Sequence, residues 1–138
     1  GAQERIDIWW GGLQRNGGLM ILLAYLIRTA DGWRRATVNV NLVAQSEAAA
    51  QGARSNLVHV LEHMRIRAEV NVFVADDRPF AAVLRETSMD ADLIFMGIAE
   101  PDDDFVSYFQ HMQDMIVGLP PVALVLAAQD IDFADVLL

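Results

Sequence analysis

The chain of 138 residues contains no cysteine. That excludes disulfides, thiolate metal sites and a cysteine nucleophile, and says nothing of compartment. Long hydrophobic runs are absent too. The longest, Leu19 to Ile27, has nine residues, well short of the ~20 that cross a bilayer as a helix. Positive charge is scarce: ten Lys and Arg stand against nineteen Asp and Glu, a formal net charge of −9. Nucleic acid is therefore not an expected partner, because phosphate backbones are gripped by clustered cations. Broad adsorption to anionic lipid is opposed for the same reason, with a local exception at Trp33-Arg34-Arg35 and Arg28. No methionine opens the chain. Gly1-Ala2 reads as a cloning scar and residues 1–5 as a disordered or cloning-derived leader, so the sequence reads as an excised fragment.

What is present is core. A composition 54% hydrophobic with three tryptophans specifies a packed globule rather than a disordered chain, and the length suits one domain over 1–138. Ile6 to Trp10 reads as a strand, and Leu19 to Arg28 as a helix entered through Gly17-Gly18 and stopped by Asp31-Gly32. Thr37 to Val43 alternates as a second strand. Glu47 to Met64 is the longest helix, with Ala50, Ala53, Leu57, Val60, Leu61 and Met64 on its apolar side and Arg54, His59, Glu62 and His63 outside. Glu69 to Ala75 is a third strand closed by Asp76-Asp77, and Pro79 opens a helix to about Ser88. Asp92 to Gly97 is a fourth strand. Asp102-Asp103-Asp104 then supplies an acidic start, favourable to a helix dipole, for a helix carrying Phe105, Phe109, Met112 and Ile116. Gly118-Leu119-Pro120-Pro121 breaks it before a fifth strand, Val122 to Ala127. Residues 128–138 form a short tail.

Strands and helices alternate throughout, and the fourth and fifth strands are apolar on both faces. This is the pattern of an α/β fold, a doubly wound five-stranded parallel sheet in the order 3-2-1-4-5. The opening strand is then central, and the switch-point crevice lies between the Gly11–Gly18 turn and Gly97-Ile98-Ala99-Glu100.

Four features are candidates for chemistry. Gly12 and Gly17 have Walker spacing, but Gly18 and Leu19 stand where lysine and a hydroxyl are required. The acids Glu100, Asp102, Asp103 and Asp104 across the crevice would repel a polyphosphate, so tight backbone packing is the expected role of the glycines. His59-Val60-Leu61-Glu62-His63 matches the inverted zinc-peptidase motif H-x-x-E-H. It falls on the outer face of a crossover helix with no third ligand or cleft in view, and two exposed histidines are the expectation. The Glu100–Asp104 run lacks the alternation of a cation loop and reads as a solvated helix cap; His111 alone indicates nothing. No catalytic, cofactor-binding or metal residue is assigned, and no enzyme is expected. The fourth feature is the first helix, apolar nearly all round. With Leu19, Leu22, Leu23 and Leu26 set toward the sheet, Ile21 and Ala24 fall opposite. Either a neighbouring segment such as the tail covers that back, or a protein partner does.

The strand Ile6-Asp7-Ile8-Trp9-Trp10 before a Gly-Gly-Leu helix resembles the cytoplasmic C-terminal domain of the cation–chloride cotransporters, of the amino acid–polyamine–organocation superfamily. Further matches are Trp33 before the second strand, Arg65-Ile66 after the long helix, Asp92-Leu93-Ile94-Phe95-Met96-Gly97, and Leu119-Pro120-Pro121-Val122. Together they run from Ile6 to about Leu126. Animal members carry a long insertion after the third strand, where Asp76-Asp77-Arg78-Pro79 closes the gap directly, so the likeness is to a compact prokaryotic member. The family domain usually has two such halves, and one is present. The resemblance implies a universal-stress-protein-like fold and a non-catalytic regulatory or dimerisation role. The implied partners are the transmembrane domain of the same transporter and a second copy of this chain, at the cytoplasmic side of the plasma (inner) membrane, with no membrane insertion by the fragment itself. The competing readings are a stand-alone universal-stress-type nucleotide-binding protein and, more remotely, a hydrolase that would need bound zinc.

Overall fold

In the computed structural model, the structure describes residues 4–10, 14–97 and 103–125, with the side chains of 14–17 excepted. Nine elements alternate: β1 (Arg5–Trp9), α1 (Gln14–Arg28), β2 (Thr37–Ala44), α2 (Glu47–Met64), β3 (Glu69–Val74), α3 (Phe80–Ser88), β4 (Leu93–Gly97), α4 (Phe105–Ile116) and β5 (Val122–Val125). The strands form one parallel sheet in the order β3-β2-β1-β4-β5. The doubly wound topology read from the sequence is the one observed.

The sheet separates two cores. On one face Met20, Ile21 and Ala24 of α1 and Leu57, Leu61 and Met64 of α2 pack on Ile6, Ile8, Val38, Val40, Phe95 and Val125. On the other, Val83 and Leu84 of α3 and Met112 of α4 pack on Trp9, Ile94 and Met96. Adjacent strand residues point to opposite faces, so β1 sends Ile6 and Ile8 into the first core and Asp7 and Trp9 toward the second.

Local rules set the boundaries. Ser46 caps α2, its hydroxyl accepting from Ala49 N at 3.2 Å. Arg65 ends the helix at φ 59, with Arg65 N donating to Glu62 O and Ile66 N to Leu61 O, both at 3.1 Å. This is a Schellman closure with arginine where glycine is usual. Asp76 and Asp77, at φ 49 and 64, turn β3 directly into α3, and Arg78 N donates to Ala75 O at 2.9 Å. Two successive positive φ values define a tight primed turn. Pro79 is the N-cap of α3 rather than its first residue.

The first helix differs from expectation in two ways. It starts at Gln14, not Leu19, so Gly17-Gly18 lie within its first turns rather than ahead of it. Its sheet-facing stripe is Met20, Ile21 and Ala24, whereas Leu26 is 51% exposed and Tyr25 44%. A helix apolar on all sides gives periodicity no phase to find, and the small Ala24 is what faces the sheet. Leu22, Leu23 and Ile27 are half-buried. The tail lies outside the described residues.

Candidate functional site

The one fully buried charge among the described residues is Asp7, on the central strand. An unpaired buried carboxylate would be prohibitively costly, and four side-chain donor contacts account for it. Arg5, two residues earlier and hence on the same face, grips it with both arms, Nε to Oδ1 at 2.9 Å and Nη2 to Oδ2 at 2.8 Å. Asn39, its register partner on β2, donates Nδ2 to Oδ1 at 3.1 Å. Ser88, last residue of α3 and fully buried, donates Oγ to Oδ2 at 2.6 Å. The same hydroxyl accepts from Trp9 Nε1 at 2.9 Å. Arg5 Nη2 also reaches Thr87 O at 2.6 Å. The hydrogen bonds that Arg5 donates to Asp7 raise the guanidinium above its ordinary pKa; burial opposes this, and the charges of Asp7, Asp90 and Asp92 reinforce it.

The network extends across β2 and β3. Asn71 Nδ2 donates to Asn41 Oδ1 at 3.0 Å, and Asn41 is fully buried with its own Nδ2 unpartnered among the described residues. Trp9 stacks on Phe73 with centroids 6.0 Å apart and meets Phe80 edge-on at 5.4 Å. Asn41, in register with Trp9 on the strand between Trp9 and Phe73, therefore sits beside an aromatic cluster. Below, Thr37, Asn39 and Asn71 line a shallow polar groove of about 580 Å³.

This arrangement holds elements together and is poorly placed for catalysis. Ser88 has a carboxylate beside it but no imidazole to take its proton, and a substrate cannot reach a fully buried hydroxyl. The three histidines, His59, His63 and His111, are exposed on the outer faces of α2 and α4. His59, Glu62 and His63 lie on the solvent side of α2, as the spacing predicts, and no group of three metal-ligating side chains occurs among the described residues. Asp104 is the N-cap of α4, without a side-chain capping bond, and Asp103 and Asp104 are exposed. Gly11, Gly12, Glu100 and Asp102 lie outside the described residues, and with them most of the switch-point crevice. The early start of α1 still bears on it. Residues 14–17 lie inside that helix, whereas a Walker motif would need them in an open loop.

Sequence reasoning treated Asp7 and Trp9 as a signature and Ser88 as a helix end, and missed that they meet. The available signal was a lone acid within an apolar strand, two residues from a tryptophan.

Fold and network together define a doubly wound α/β domain whose buried charge ties its central strand to β2 and α3. The chain belongs to Solute carrier family 12, the family of the cation–chloride cotransporters: the family model matches residues 1–79, more than half of the chain, from β1 through β3. Among the described residues no helix is long and apolar enough to cross a membrane.

Proposed function

We propose that this chain is a non-catalytic regulatory or assembly domain of a cation–chloride cotransporter-like secondary transporter, joined to that protein's transmembrane part on the cytoplasmic side and pairing with a second copy of itself. The family match over residues 1–79 carries the reading. The tight Ala75–Arg78 turn supports a compact, prokaryotic type of C-terminal domain, since it joins β3 to α3 with no insertion. The domain would act mechanically, favouring one transporter conformation through contacts that differ between states.

Ion flux through the full transporter, with and without this domain, tests the proposal. The rate or its regulation is expected to change when the domain is removed, and identical flux would overturn the reading. Calorimetry with ATP is the second test. Micromolar binding to the isolated chain would instead favour a stand-alone nucleotide-binding protein of the same fold.

A further inference from the structure

The cations of this chain are unevenly placed. All ten are arginine, and seven of them, Arg5, Arg28, Arg34, Arg35, Arg65, Arg67 and Arg85, lie at the end where the parallel strands begin. Eight acids, Glu4, Asp31, Glu62, Glu69, Glu86, Asp90, Asp92 and Asp114, stand at the same end. Among the described residues that end thus carries a net charge of only −1, seven cations against eight acids, while the chain as a whole carries −9.

Several of these acids face other groups. Asp92 Oδ2 accepts from the backbone of Glu4 and Arg5, each at 2.9 Å. Asp31 pairs with Arg34 at 3.2 Å. Arg28, Arg35 and Arg67 line one groove of about 500 Å³ between the ends of α1 and α2, and none of the three has an ion-pair partner among the described residues. Arg28 continues the buried stripe of α1 one turn beyond Ala24, and its Nε is shielded from solvent with no acceptor. A cation drawn partly out of water without a counter-charge leaves a positive field in the groove. The groove's own acids, Glu62 and Glu69, offset only part of it. Apart from Thr37, its remaining lining is apolar, with Val58, Ile66 and Val70 beside the arginines.

Two further observations fall at this end. Arg65 occupies a left-handed position at which glycine would be less strained, so the chain keeps a cation there against local preference. Trp33 precedes Arg34 and Arg35 in the same loop, the residue types that sit together at headgroup depth.

We propose that this end of the sheet binds the phosphate headgroup of an anionic phospholipid, the guanidinium groups of Arg28, Arg35 and Arg67 meeting the phosphate and the apolar strip meeting the glycerol and upper acyl chain. This deepens the reading of a domain held beneath a transporter and rests on it for the presence of a bilayer. The central strand β1 starts at this end, at Arg5.

Flotation of the 138-residue chain with phosphatidylcholine vesicles, with and without phosphatidylglycerol, tests the site. Arg35→Gln/Arg67→Gln is compared with the charge-matched Arg54→Gln/Arg78→Gln, and circular dichroism checks that both fold. Binding only to the anionic vesicles is expected, lowered roughly thirty-fold in the first variant and little in the second. Absence of vesicle binding, or equal loss in both variants, would overturn the site. So would saturable binding of inorganic phosphate, followed by chemical shifts at this end, without vesicle binding; that result assigns the groove to a soluble phosphate. No transporter is present in these measurements, so their failure removes the lipid site and leaves the flux experiment to decide the regulatory reading.

Discussion

The Ser88 hydroxyl donates to Asp7 Oδ2 across 2.6 Å of fully buried space, joining positions 81 residues apart. Replacing Ser88 with alanine would remove that donor and also leave Trp9 Nε1 without its acceptor. A buried polar group stripped of its partner costs about 1–3 kcal/mol. Urea unfolding of Ser88→Ala is expected to show a loss in that range, with an unchanged denaturant slope.

Asp7→Asn should cost more. The amide would turn an NH2 toward Arg5, Asn39 or Ser88, all of which donate to the carboxylate now, and Arg5 would lose its counter-charge. Breaking a buried pair from one side costs about 3–5 kcal/mol. Arg5 is one-third exposed, so the lower bound is the better expectation. A double-mutant cycle with Arg5→Gln, measured by denaturation, should reveal a coupling well above that of surface pairs. Because Asp7 raises the pKa of Arg5, the arginine's contribution is present throughout neutral pH. It is lost only as pH rises through the arginine's raised value, in strong alkali. A stability profile for Arg5→Gln should therefore run parallel to that of the parent across the neutral range.

Two glycines should respond oppositely to alanine. Gly52 lies within α2 with nothing near its missing Cβ, so Gly52→Ala should stabilise by about 0.5–1 kcal/mol. Gly118 sits at φ 81, where a side chain is strained in any space, and Gly118→Ala should destabilise by about 1 kcal/mol. Thermal melts of the pair would shift in opposite directions.

Arg65→Gly would relieve the left-handed strain at the end of α2 and should raise stability by a few tenths to about 1 kcal/mol. If the adjoining groove receives an anionic headgroup, the same change should weaken vesicle binding. Measuring melting and flotation on one variant would show whether stability and binding pull apart there.

The topology was legible because its signals were local: β-rich apolar runs, the Asp76-Asp77 turn, the Gly118-Leu119-Pro120-Pro121 break and the four-then-three spacing of Leu57, Leu61 and Met64. Where the signal was uniform, it failed. The all-apolar α1 offered no contrast, so four leucines were set toward the sheet although Met20, Ile21 and Ala24 hold that place. The Asp7 network was hidden for a different reason. Arg5, Asp7, Asn39 and Ser88 come together through strand register and through α3 returning beside β1, and no short window of sequence contains that meeting.

The position of β1 has a mechanical consequence. It is hydrogen-bonded in parallel to β2 on one side and β4 on the other. Asp7 clamps it to α3, and its backbone ends at Glu4 and Arg5 are tied to Asp92. A pull on the chain ahead of Glu4, directed along the strand, loads both ladders in shear, so their bonds resist together rather than opening one by one. An edge strand entered from the same side would peel from one neighbour. Entry through the centre makes the sheet a stiff lever, able to pass a displacement at Glu4 to both helical layers without unravelling.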